Sequence, residues 1–94
     1  MSNPTLGIIG GGQLGSLLAT AAKKLNIETV ILSDDIDAPA KNFTTNFVYG
    51  NYEDKKILNE FITKVDLVTF EFENIPFKIL KKINEHKPVL PKPK

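Results

Sequence analysis

Two periodicities divide this chain into strands and helices. Thr5 to Ile9 is a short apolar run of strand length that feeds directly into Gly10-Gly-Gly-Gln-Leu-Gly15. From Leu14 onward the apolar residues Leu17, Leu18, Ala21, Ala22 and Leu25 recur at helical spacing, predicting an amphipathic helix with these residues as its buried face. Asn26 is placed to close that helix. Thr29-Val-Ile-Leu32 is a β-branched run that predicts a second strand, ended by Ser33-Asp-Asp35. A strand-helix-strand unit is complete by Leu32, and its right-handed crossover makes the two strands parallel neighbours.

The pattern continues in the second half. Asp37-Ala-Pro-Ala40 reads as a loop or a single helical turn, and Asn46-Phe-Val-Tyr-Gly50 as a third strand. Asn51 is expected to cap a second helix, with Asp54 in its first turn and Ile57, Leu58, Phe61 and Ile62 on the buried face. Asp66 to Phe70 predicts a fourth strand, followed by Glu71-Phe-Glu-Asn74. Pro76 suits the first turn of a third helix with an apolar face of Ile79, Leu80 and Ile83. Pro88, Pro91 and Pro93 mark an extended exit segment, or a last edge strand followed by one.

This order predicts an α/β fold: an open, mostly parallel Rossmann-like sheet with helices on both faces. Such sheets bind ligands beyond the carboxyl ends of their strands. Those ends carry Gly10 to Gly15, Ser33 to Asp37, Gly50 to Tyr52 and Glu71 to Asn74.

Composition narrows the possibilities. The chain has 94 residues, enough for one small domain, with 41% hydrophobic and 24% charged residues. No apolar run approaches the length of a membrane span and no secretory leader pattern opens the chain, so a cytoplasmic protein is expected. The absence of cysteine excludes disulfides and thiolate metal sites. A net charge of +1 offers no field for nucleic acid, and the lysine pairs Lys23/Lys24, Lys55/Lys56 and Lys81/Lys82 read as solvated helix faces. Phe70, Phe72 and Phe77 are not interleaved with a basic stripe, so no base-stacking platform is expected. Partners are therefore expected to include neither nucleic acid nor membrane.

The candidate chemistry centres on the glycine turn Gly10, Gly11, Gly12 and Gly15. Gly10 allows the tight turn, Gly12 lets backbone N–H groups approach an anionic ligand, and Gly15 lets the helix pack close to the strand. The turn lacks the Gly-Lys-Ser/Thr ending of a P-loop. Gln13, at the helix start, can donate and accept toward a ligand. Glu71 and Glu73 alternate with Phe70 and Phe72, so an extended backbone sets both carboxylates on one side. Asp34 ends the second strand where a dinucleotide-binding fold places the carboxylate that grips a ribose, which leaves an NAD- or FAD-binding module of an oxidoreductase as an alternative. His86, the sole histidine, lies away from these strand ends and reads as a surface residue. No nucleophile-base pairing or metal-ligand spacing is present, so no catalytic or metal-binding residue is assigned.

Taken together, Gly10-Gly-Gly-Gln-Leu-Gly15, Asp37-Ala-Pro-Ala40 and Phe70-Glu-Phe-Glu-Asn-Ile-Pro76 resemble the amino-terminal, pre-ATP-grasp domain of the 5-(carboxyamino)imidazole ribonucleotide synthase family. The resemblance runs from about Leu6 to Pro91. It implies residues 1–90 as a substrate-side domain and 91–94 as the start of a linker to an ATP-grasp region. It also implies an ATP-grasp carbon-nitrogen ligase of purine biosynthesis: ATP and bicarbonate give carboxyphosphate, whose carboxyl group passes to the amine of 5-aminoimidazole ribonucleotide. ATP and Mg2+ would bind outside this chain, which alone would be inactive and hold no cofactor. The substrate-binding positions implied are Gly12, Gln13, Leu14 and Glu71, with Glu73 as the neighbouring carboxylate. Full-length members of the family are commonly dimers.

Two other families share the architecture. Glycinamide ribonucleotide formyltransferase of the ATP-grasp type typically carries glutamate where Gln13 stands, and biotin carboxylase is less similar in both the glycine turn and the acidic segment. Gln13 with Asn74-Ile-Pro76 favours the aminoimidazole family. The chain departs from that family at Ser16, usually arginine, at Phe70, commonly tyrosine, and at Lys92, usually serine. A domain that only docks against the rest of a longer protein is a third reading.

Overall fold

A computed structural model describes residues 4–10, 12–44, 46–70 and 77–90. Among the described residues, five strands and three α-helices follow in the order β1 (Thr5–Ile9), α1 (Gln13–Lys24), β2 (Glu28–Ser33), a 3-10 helix (Pro39–Phe43), β3 (Asn46–Tyr49), α2 (Lys55–Lys64), β4 (Leu67–Phe70), α3 (Phe77–Asn84) and β5 (Val89–Leu90). The strands form one sheet in the order β3-β2-β1-β4-β5. Every pairing is parallel. The expected α/β class and helices on both faces are therefore observed, and the Val89–Leu90 segment is the edge strand.

Strand alternation sorts the core into two layers. Ile8 and Ile31 face α1 and pack with Ala19 and Ala40, flanked by Leu6, Leu18 and Phe47. Ile9, Val30 and Leu32 face the opposite way, onto Leu58, Phe61, Ile79, Leu80 and Ile83 of α2 and α3. Both faces of the sheet are covered, which is why its central strands read as continuous apolar runs. The predicted faces of α2 and α3 are the ones that bury.

The face of α1 differs from its prediction. Its buried residues are Gly15, Ala19 and Ala22, whereas Leu17 is 67% and Leu25 69% exposed, and Ala21 is also exposed. Small residues let the helix axis approach the sheet, so the buried stripe is set by size as well as by hydrophobicity. The helix closes as expected around Asn26, which adopts φ 59°. Asn26 N–H donates to Lys23 O at 3.0 Å and Ile27 N–H to Ala22 O at 2.8 Å, the paired bonds of a Schellman motif.

A second correction concerns α2. Its N-cap is Asp54, whose carboxylate accepts from Lys56 N–H at 2.9 Å. Asn51 instead closes the preceding turn, with its side-chain oxygen accepting from Glu53 N–H at 2.8 Å and its carbonyl from Asp54 N–H at 3.0 Å. Local Asx hydrogen bonding thus holds residues 51–54 out of the helix.

Asp37-Ala-Pro-Ala40 enters the 3-10 helix, with Pro39 at its start and Ala38 and Ala40 buried. Pro76 lies outside the described residues.

Candidate functional site at the sheet's switch point

The chain adds β2 and β3 on one side of β1, then returns to place β4 on the other. This reversal separates the carboxyl ends of β1 and β4 and creates the crevice where open α/β sheets hold ligands. The register Leu6–Leu67 through Ile9–Phe70 ends the two strands level with each other.

The glycine turn occupies one side of that crevice. Gly10 has φ 107°, a region that side chains rarely adopt, and its N–H donates to Leu32 O at 2.8 Å. Gly50 N–H makes the equivalent bond to Ser33 O at 3.0 Å. Backbone pairing thus continues one residue past β1 and β3, aligning Gly10, buried Ser33 and Gly50 along one edge.

Gly12 is the N-cap of α1 in extended geometry (φ −81°, ψ −157°), with no side-chain cap and no acidic residue in the first turn. The positive end of the helix dipole is therefore not neutralised by its own first turn, the condition that favours an anionic or polar ligand group. Gln13 is exposed and Leu14 39% exposed at this helix start. Gly15 is buried, as its packing role requires. Ser16 turns back on its own helix, its hydroxyl donating to Gly12 O at 3.2 Å.

The second candidate group cannot be placed with the first. Glu71, Glu73 and Asn74 lie outside the described residues, as does Gly11. Asp34 is exposed just beyond β2, followed by a turn in which Ser33 Oγ accepts from Asp35 N–H and Asp35 from Asp37 N–H. Tyr52 is buried in the core instead of lining the edge.

Sequence reading passed over Tyr49, the half-exposed register partner of Ser33 at this edge. It also passed over Gly7. An added Cβ there would stand 2.6 Å from Phe61 Cζ and 2.8 Å from Val65 Cγ1. A glycine inside a strand run signals such close approach and could have found it.

His86 is exposed beyond α3. Among the described residues, no group of three or more His, Cys, Asp or Glu converges as a metal site. No helix among them is long and apolar enough to cross a membrane. A cavity of about 500 Å³ opens at the amino end of β2, lined by Lys23, Glu28, Phe43 and Thr44 among others. It is at the opposite edge from the glycine turn, whose backbone chemistry, not cavity size, marks the candidate site.

These features define the class: a Rossmann-like α/β domain with its ligand edge at the switch point. Residues 3–94 match the model of the ribonucleotide synthetase preATP-grasp domain, and the chain belongs to that family.

Its relatives agree on one enzyme. The chain is 41% identical over 81 residues to N5-carboxyaminoimidazole ribonucleotide synthase of Staphylococcus epidermidis, covering 86% of this chain and 22% of the relative. It is 43% identical over 89 residues to that of Brucella melitensis, covering 95% and 25%. The crystal structure of the Staphylococcus aureus synthetase complexed with ADP superposes with a TM-score of 0.87 at 38% identity, over 95% of this chain and 24% of that one. The Aspergillus clavatus synthase in complex with ADP and 5-aminoimidazole ribonucleotide gives a TM-score of 0.78 at 27% identity, over 94% and 24%. The chain thus spans about a quarter of the length of these relatives. Its relatives are ribonucleotide synthases, so the oxidoreductase alternative built on Asp34 is not favoured.

Proposed function

We propose that this chain is the substrate-side domain of an ATP-grasp ligase that carboxylates 5-aminoimidazole ribonucleotide, using ATP and bicarbonate, in purine biosynthesis. The observation that carries this reading is the glycine turn entering an uncapped helix at the β1/β4 switch point. Backbone N–H groups of the first turn of α1, with the Gln13 amide, are suited to polar or anionic atoms of the ribonucleotide. Glu71, with Glu73 beside it, would accept hydrogen bonds from its amine or ribose hydroxyls. The Ser16 hydroxyl, engaged with Gly12 O, is not assigned a phosphate contact.

ATP and Mg2+ belong in this reading to the part of the protein beyond residues 1–90, linked through 91–94, and the fragment alone carries no ligase activity. Its cellular place would be the cytoplasm and its full-length form a homodimer.

The test is titration of the isotope-labelled 94-residue chain with 5-aminoimidazole ribonucleotide, followed by NMR. Saturable shifts at Gly12, Gln13 and Leu14, weakened about tenfold by Gln13→Ala, are expected, since that exposed amide supplies binding and little folding energy. In the full-length enzyme, Gln13→Ala or Glu71→Ala should raise KM for the ribonucleotide and spare that for ATP. A titration silent at the glycine turn, or saturable NAD binding lost on Asp34→Ala, would overturn the reading.

A further inference from the structure

The face formed by α2 and α3 carries a group of cations that the proposed function does not use. Residues 54–64 and 77–87 contain seven lysines against three carboxylates, although the whole chain has a net charge of only +1. Half of these ten groups are already engaged. Asp54 caps α2, Glu60 pairs with Lys64 at 3.9 Å, and Lys78 pairs with Glu53 at 2.6 Å. Lys87 Nζ donates to Val65 O at 2.6 Å.

Of the four lysines that remain, Lys55 and Lys82 share a cavity with the histidine, and Lys56 and Lys81 do not line it. Lys55, Lys82 and His86, with the Asn59 amide, line a single cavity of about 180 Å³ between the two helices, floored by Leu58 and Ile62. Glu85, the other carboxylate of this stretch, is not among the lining residues. Neither lysine nor the imidazole forms an ion pair with a described residue.

We propose that this cavity is an anion site that takes inorganic phosphate or a small phosphomonoester. Two ammonium groups, an imidazole and an amide line it from two helices and the turn after the second, and such a donor set can share the several oxygens of a phosphate group. The volume has room for about six water molecules, enough for a phosphate group and a few carbon atoms but not for a polypeptide segment. Leu58 and Ile62 give those carbons an apolar floor. Helix packing alone explains the buried apolar side, but it gives no reason for two lysines and the sole histidine to meet there without a carboxylate.

Titrating the 94-residue chain with inorganic phosphate at constant ionic strength, read by amide NMR, tests this. Saturable shifts confined to residues 55–62 and 82–86 are expected. Lys55→Met with Lys82→Met should weaken them about tenfold, while Lys82→Arg retains them. Both lysines are exposed, so an unchanged melting temperature and native spectrum in each variant establish that the fold is intact. Tighter binding of glycerol phosphate than of inorganic phosphate would assign the apolar floor to the ester carbons, and equal binding would assign the site to the phosphate group alone. Shifts reproduced by chloride or acetate, an affinity indifferent to the lysine substitutions, or tighter binding of an acidic peptide would overturn the proposal. Because the cavity excludes Gly12, Gln13 and Leu14, its failure would leave the ribonucleotide reading of the glycine turn standing.

Discussion

Ile9 and Phe70 are register partners at the ends of two parallel strands that are far apart in sequence. The residues that follow them in the chain are Gly10, which opens the glycine turn, and Glu71, which lies outside the described residues. A slip of one residue would reverse the faces of β4 and bury Thr69 in place of Val68. The packing of Val68 against α2 and α3 therefore also fixes where the strand stops.

Gly10 is the position where the turn depends most on backbone freedom. Its φ of 107° is strained for any residue with a Cβ, so Gly10→Ala should lower stability by about 1–3 kcal/mol. Urea unfolding monitored by circular dichroism should show an earlier midpoint with an unchanged slope. A midpoint equal to that of the unsubstituted chain would mean that the turn relaxes to negative φ.

Gly7 tests close packing instead of backbone conformation. A Cβ at Gly7 would meet the Phe61 ring at 2.6 Å, and Phe61 is fully buried in the core, so the ring moves aside only at the expense of its packing there. Gly7→Ala should destabilise by about 1–3 kcal/mol through overpacking. Phe61→Leu is itself destabilising, but in the Gly7→Ala background its effect should be smaller. A double-mutant cycle on unfolding free energies reads that coupling, and strict additivity would contradict the contact.

Much of this fold is legible in sequence because both faces of the sheet are covered. Ile8 and Ile9, or Ile31 and Leu32, look like one apolar run while serving opposite layers. The order β3-β2-β1-β4-β5 is not written in any local pattern, since nothing near Asp66 says that β4 returns to β1. The glycine turn is legible because Gly10, Gly12 and Gly15 each answer a local geometric demand. The α2/α3 cavity is not, because Lys55 and Lys82 belong to separate lysine pairs that each look like ordinary solvated helix surface.

The α1 face gives a prediction from a corrected expectation. Large leucines dominate a hydrophobicity pattern, but the helix approaches the sheet through Gly15, Ala19 and Ala22. Leu17→Ser should therefore change unfolding free energy by no more than about 0.5 kcal/mol. Ala19→Leu, although more hydrophobic, should cost about 1–3 kcal/mol because Ala19 is buried in one cluster with Ile8, Ile31 and Ala40. Denaturant midpoints for the two variants check the assignment, and the reverse order would restore the leucine face.

Glu53 sets the expected pH dependence. Its carboxylate accepts a hydrogen bond from the Lys78 ammonium at 2.6 Å, and that bond, with the attraction between the charges, holds its pKa below the ordinary value of 4.5. Above that value the carboxylate is charged in both folded and unfolded chains, and its full contribution to stability is present. As pH falls, the unfolded chain takes up the proton first, so the contribution declines between the ordinary value and the lower folded one. Both side chains are mostly exposed, so salt screens the pair. Unfolding midpoints measured from neutral pH into the acid range should fall less steeply for Glu53→Gln than for the unsubstituted chain. The other carboxylates contribute equally to both curves, so the difference isolates this pair. That difference should shrink at about 1 M salt, where the Debye length is only about 3 Å. Parallel curves at low salt would show that the bridge between the α2 entry turn and α3 does not persist in solution.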